Sequence, residues 1–129
     1  MTDSLKQYAD IPIRLIIGFH LIYGTQDNVF SWERMIEFRN FLEAFGVPLP
    51  LVGAIASVYA QFICGILFII GWKVKPAAYI MIFNFLVAIF LVHLGDTYPN
   101  TFPALAMLAG SLFLAMNGAG KLSVENYKK

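Results

Sequence analysis

Three stretches of this chain, at 44–72, 76–95 and 97–120, contain no Asp, Glu, Lys or Arg. Each reaches or exceeds the roughly 20 residues that an α-helix needs to cross a bilayer. Only 13% of the 129 residues are charged, whereas a soluble domain carries about 25%. The chain therefore reads as an all-α integral membrane protein whose first partner is the lipid bilayer. Its net charge of +1 leaves no basic footprint for nucleic acid.

A further span is IPIRLIIGFHLIYGTQDNVF at 11–30, interrupted by Arg14, His20 and Asp27. Arg14 lies near one end, where its stem can snorkel toward the headgroups. The preceding MTDSLKQYAD has two Asp against one Lys and no A-x-A-like site, unlike a cleaved signal peptide. Four spans result, near 11–30, 50–72, 76–95 and 101–117, and the expected fold is a single-domain, membrane-spanning four-helix bundle. Pro50, Pro76 and Pro103 fall at span beginnings, where a missing N–H costs little. With both termini on one side, that side holds Lys6, Arg14, Lys73, Lys75, Lys121, Lys128 and Lys129. The other holds only Arg34 and Arg39, so the termini are expected in the cytoplasm, across a bacterial-type inner membrane. Trp32, Trp72 and Tyr98 fall at the expected interfaces.

The connection at 31–45, SWERMIEFRNFLEAF, places Trp32, Met35, Ile36, Leu42 and Phe45 at helical spacing, with Glu33, Glu37, Arg39, Asn40 and Glu43 between them. This is the pattern of an amphipathic external helix. It lies either over the outer mouth of the bundle or on the outer leaflet.

Several short motifs, in order along the chain, carry a family resemblance. They are R-x-x-x-G at 14–18 with Tyr-Gly at 23–24, FLEAFGVPLP at 41–50, AQFICGILFIIG at 60–71 and GAGKLSVE at 118–125. In this order they resemble the DoxX/DoxD-like membrane proteins. The resemblance implies a four-helix membrane bundle and an association with quinone- or thiol-linked oxidoreductases. Two positions depart from the family pattern: Gln61 stands where it has an acid, and Asp27 where it often has a lysine.

At 100° per residue, Gln61 shares one side of its helix with Gly53, Ser57, Ala60, Cys64, Phe68 and Gly71. Small and weakly polar residues mark faces packed against other helices. His20 is likewise expected on an inward arc with Arg14, Gly18, Gly24 and Asp27, and Asn84 on one with Ala77, Met81 and Ala88. His20, Gln61, Asn84 and Ser111 each lie near the middle of a span. They form either a hydrogen-bonded layer that fixes helix register, at about 0.6–2 kcal/mol per contact, or a pocket for a small apolar ligand such as a quinone. In the second case neutral His20 would orient a carbonyl.

At the boundaries, Arg14 follows Asp10 by four residues, the spacing of an ion pair. Asp27 is placed to pair with His93, Arg34 or Arg39, or to sit wet at the interface. Cys64, being single, forms no intrachain disulfide. Two His and one Cys at scattered depths form no metal site. No Ser-His-Asp arrangement, P-loop or G-x-G-x-x-G appears, so no cofactor site and no self-sufficient catalytic site is legible. Three function classes fit: an accessory membrane subunit of a redox-linked or envelope system, a chaperone or scaffold for other membrane proteins, and a dimeric small-ligand binder.

The orientation has a direct test. A thiol reagent applied from outside should label Asn100→Cys but not Ser123→Cys; the reverse pattern would invert the topology.

Overall fold

The computed structural model describes residues 5–93, 95–120 and 122–125, and among these no strand occurs. The elements are α1 (Asp10–Phe30), α2 (Trp32–Ala44), α3 (Pro50–Ile70), α4 (Val74–Ala88), a π-helical turn continuing α4 (Ile89–His93), and α5 (Tyr98–Asn117). α3, α4 with its π-turn, and α5 are long and apolar enough to cross a membrane. α1 is 21 residues long but carries three charges, Asp10, Arg14 and Asp27.

Backbone chemistry sets the boundaries. Pro50 opens α3, where its absent N–H forfeits no helical bond. Gly71 closes it at φ 79°, and the N–H groups of Gly71 and Trp72 both return to Leu67 O. Two expected boundaries move. α5 begins at Tyr98, so Pro103 lies inside it instead of opening it; the first helical turns at Tyr98 and Pro99 supply the start. The third span begins at Val74 and ends in a π-turn.

α1 runs along α3, and the contact depends on two glycines. A Cβ on Gly18 would come within 2.7 Å of Gly65 O, and one on Gly65 within 2.8 Å of Gly18 O. Close backbone approach of this kind is how apolar helices gain packing in lipid. The central core joins Leu21 of α1, Cys64 and Phe68 of α3, Met81 and Phe85 of α4, and Leu114 of α5. A separate cluster places Met35 of α2 against Ala54 and Val58 of α3, flanked by Phe38 and Leu42. The charges of α2 stay outside, in Arg34–Glu37 (2.9 Å) and Arg39–Glu43 (3.3 Å) pairs.

Arg14 does not snorkel. It is 4% exposed, because the carbonyl end of α3 gives it better partners than water. Its Nε donates to Phe68 O at 2.8 Å and its Nη2 to Ile69 O at 3.1 Å. These are carbonyls that an α-helix leaves without amide partners at its C-terminus. Nη1 donates to Asp10 Oδ2 and to Leu122 O, each at 2.9 Å. Asp10, 1% exposed, also accepts the Gly120 N–H at 2.8 Å. The segment after α5 is thereby fastened under α1. It is fastened again by Val124 N–H to Ile70 O (2.9 Å) and Glu125 N–H to Gly71 O (3.0 Å). Glu125 Oε1 accepts the Val74 N–H at 3.2 Å, at the start of α4.

Ser123 is buried in this knot at 9% exposure. Lys75, which is exposed, is therefore the better reporter for the side expected to face the cytoplasm.

The knot makes a sharp prediction. Arg14→Met strands the Asp10 carboxylate and three carbonyls, and removing one partner of a buried pair costs about 3–5 kcal/mol. Arg14→Lys should not rescue it, since one ammonium cannot span the carbonyls that the guanidinium fork reaches. Adding Asp10→Asn to Arg14→Met should recover part of the loss. Melts of the three variants in detergent measure all of this.

Candidate functional site

Of the four residues expected at mid-span, the structure joins two. Ser57 and Gln61 are one turn apart on α3, so their side chains lie one above the other. Gln61 Nε2 donates to Ser57 Oγ at 2.9 Å, and Ser57 Oγ donates to Asn84 Oδ1 of α4 at 2.7 Å. Ser57 is the member that sequence reasoning missed. It was placed on the right face, and its i, i+4 spacing to Gln61 was the available signal.

The three polar residues line a half-open groove of about 240 Å³. α3 and α4 form its floor; Phe38, Phe41 and Leu42 of α2 overhang it, and Leu91 and Val92 of the π-turn complete its lining. A π-turn widens the helix locally, and such turns recur at functional sites. No lining residue is ionisable.

His20 does not join this group. It is exposed on α1, which corrects the expected inward arc. Arg14, Ile17, Gly18, Leu21 and Thr25 form the buried face instead. His20 lies about 120° around the helix from Arg14 at 100° per residue, so burying Arg14 turns His20 outward. Gly24 and Asp27 follow it out. Thr25, buried, returns its hydroxyl to Leu21 O at 2.6 Å.

Ser111 is fully buried in α5, and its Oγ finds no hydrogen-bond partner. It lies apart from the groove. Asp27 forms no ion pair with Arg34 or Arg39, which are taken by Glu37 and Glu43. The Glu37 carboxylate, by hydrogen bond and by charge, holds the Arg34 guanidinium above its ordinary range, and Asp27 adds a smaller pull. His93 ends the π-turn, and its side chain lies outside the described residues. Cys64 is buried and free.

A second cleft, of about 780 Å³, opens at the Arg14 end between α1, the end of α3 and the segment 122–125. Ile11, Leu15, Ile69 and Val124 make its walls apolar.

Comparison with known proteins gives a consistent picture. Residues 9–94 match the DoxX family. The chain is also 24% identical over 130 residues to a protein of Escherichia coli strain K12 called Inner membrane protein YphA, covering 94% of this chain and 86% of the relative. No solved structure matches significantly.

The floor of the groove predicts an order of tolerance. Gln61→Leu loses one amide hydrogen bond, about 0.6–2 kcal/mol, while Ser57 keeps Asn84. Gln61→Glu must bury a charge or take up a proton, and should melt at a lower temperature than Gln61→Leu in detergent. A Glu variant as stable as wild type, with Leu unfolded, would mean that the site accepts an acid.

Proposed function

The chain belongs to the DoxX family, and from that premise we propose that it is an accessory membrane subunit that docks another membrane protein of a redox-linked or envelope assembly through α1. It is an integral membrane protein, and the proposal adds how it sits and what it meets. α1, α3, α4 and α5 all cross the inner membrane, the compartment named for the E. coli relative. Both termini face the cytoplasm, as the lysine and arginine distribution favours. α2 lies on the outer side with its charged residues in water.

One observation carries the reading. α1 presents His20, Gly24 and Asp27, one and two turns apart, on its exposed side. The exposed residues halfway along α3, α4 and α5 are instead apolar or aromatic, such as Ile63, Phe83 and Leu112. Polar side chains facing lipid are costly, about 2.5–3.5 kcal/mol for a charge at mid-bilayer, and a neighbouring helix that supplies hydrogen bonds relieves the cost. Gly24 adds room, since a Cβ there would meet nothing within 4 Å. Small residues beside polar ones are what interhelical contacts in membranes use. Phe19 and Tyr23, stacked at 5.8 Å on the same helix, flank the stripe with contact area. The redox link rests on the family resemblance, and a quinone- or thiol-linked oxidoreductase is the partner class it favours.

Crosslinking and spectra test this together. A photo-crosslinking residue at position 24 should give one discrete adduct with a second membrane protein, and one at exposed position 112 should not. Material purified in mild detergent should carry the absorption of a redox cofactor, lost when His20→Leu and Gly24→Leu are combined. Adducts of this chain with itself alone, without cofactor absorption, would replace the reading with a homodimer.

A further inference from the structure

The hydrogen bonds on the floor of the α3–α4 groove have a direction. The Ser57 hydroxyl has one proton. It goes to Asn84 Oδ1 at 2.7 Å, while Ser57 Oγ accepts from Gln61 Nε2 at 2.9 Å. Among the described residues, Gln61 Oε1, an acceptor, and Asn84 Nδ2, with two donor hydrogens, then remain without a partner in the groove, as does the second hydrogen of Gln61 Nε2. Turning both amides over reverses the relay, so that Asn84 donates to Ser57 and Ser57 to Gln61. The donor end then moves to Gln61 and the acceptor end to Asn84. Each arrangement puts a free carbonyl acceptor at one end of the relay and a free amide NH2 donor at the other, with one further N–H left on the amide that donates to Ser57. A ligand head that both donates and accepts is matched by either one.

Charge and size narrow the class further. The lining includes no Asp, Glu, Lys, Arg or His, so an ionised head would be desolvated without compensation. At the roughly 30 Å³ that a water molecule takes in the liquid, the 240 Å³ groove has the room of about eight waters. That fits a head and the first carbons of a tail. The rest of the tail leaves by the open side, past the exposed apolar residues Val87 and Leu91.

We propose that this groove binds the head of an uncharged, membrane-soluble amphiphile that carries a hydroxyl donor beside a carbonyl acceptor, the chemistry of a hydroxy ester on an apolar chain. The site shares no residue with the exposed face of α1, so either assignment can fail alone. α2 is the roof that shields the head from water, and Ser57 sets the one-donor, one-acceptor pattern that selects it.

Three probes with the same acyl chain test the assignment on the full-length protein in detergent. They are 1-monooleoylglycerol, with donor and acceptor and no charge; methyl oleate, with the acceptor alone; and oleate, with a charge. Native mass spectrometry and melting temperature read retention. The glyceride should bind about tenfold more tightly than methyl oleate, the worth of one neutral hydrogen bond, and oleate more weakly still. Gln61→Leu combined with Asn84→Leu, which removes the acceptor and the donors, should reduce the glyceride to the level of methyl oleate. Ala88→Phe, which fills the groove and leaves the polar residues in place, should abolish retention of all three. Equal binding of glyceride and methyl ester in wild type would show a merely apolar cleft and overturn the proposal. So would preferential binding of oleate, or glyceride binding unchanged in the Gln61→Leu, Asn84→Leu double variant.

Discussion

One guanidinium group holds three distant parts of this chain together. Arg14 reaches the carbonyls that end α3, the Asp10 carboxylate one turn before it, and the Leu122 carbonyl beyond α5. The carbonyl end of a helix carries a partial negative charge, and in an apolar surrounding its unpaired oxygens are costly. A planar fork with five donors suits several of them at once. Asp10 balances the charge and takes the Gly120 N–H in addition. Gly71 fits this crowding because a Cβ there would collide with Arg14 Nη2 and with Ser123. Its left-handed φ of 79° is one that glycine adopts without strain.

The rest of the architecture follows from that anchor. With Arg14 held under α3, the rotation of α1 is set, and Gly18 comes against Gly65. Leu21 and Thr25 continue the same stripe into the core. The residues beside the stripe then turn outward, and these include His20 and Asp27. A structural requirement at one end of α1 thus leaves polar side chains exposed among apolar ones on its second half. The docking role proposed for α1 is a consequence of how the chain folds.

The opposite half of the molecule solves the polar problem internally. Ser57 lets Gln61 and Asn84 share hydrogen bonds across two helices, and α2 covers them with Phe38 and Leu42. The Met35 cluster holds α2 over the upper half of α3 by apolar contact. Partly satisfied amides beneath an aromatic roof make a shielded polar floor, whereas the histidine on α1 is left uncovered. Ser111 is a third case, a buried hydroxyl with no partner among the described residues.

The charge-free runs determined by themselves that these segments are helices of membrane-spanning length, since a run of that composition has no stable place in water. Motif order was enough to indicate the family, and the i, i+4 spacing of Asp10 and Arg14 was enough to pair them. What the sequence could not determine was rotation. His20 and Arg14 are both polar and about 120° apart, and helical periodicity does not say which of the two faces the core. Only the tertiary structure decided between them, because the carbonyl end of α3 offers partners to a long guanidinium and none to an imidazole about 120° around the helix. The same limit applies to Gln61 and Asn84. Their helices and depth were readable, but their link through Ser57 depends on how closely α3 and α4 approach, which no single helix encodes.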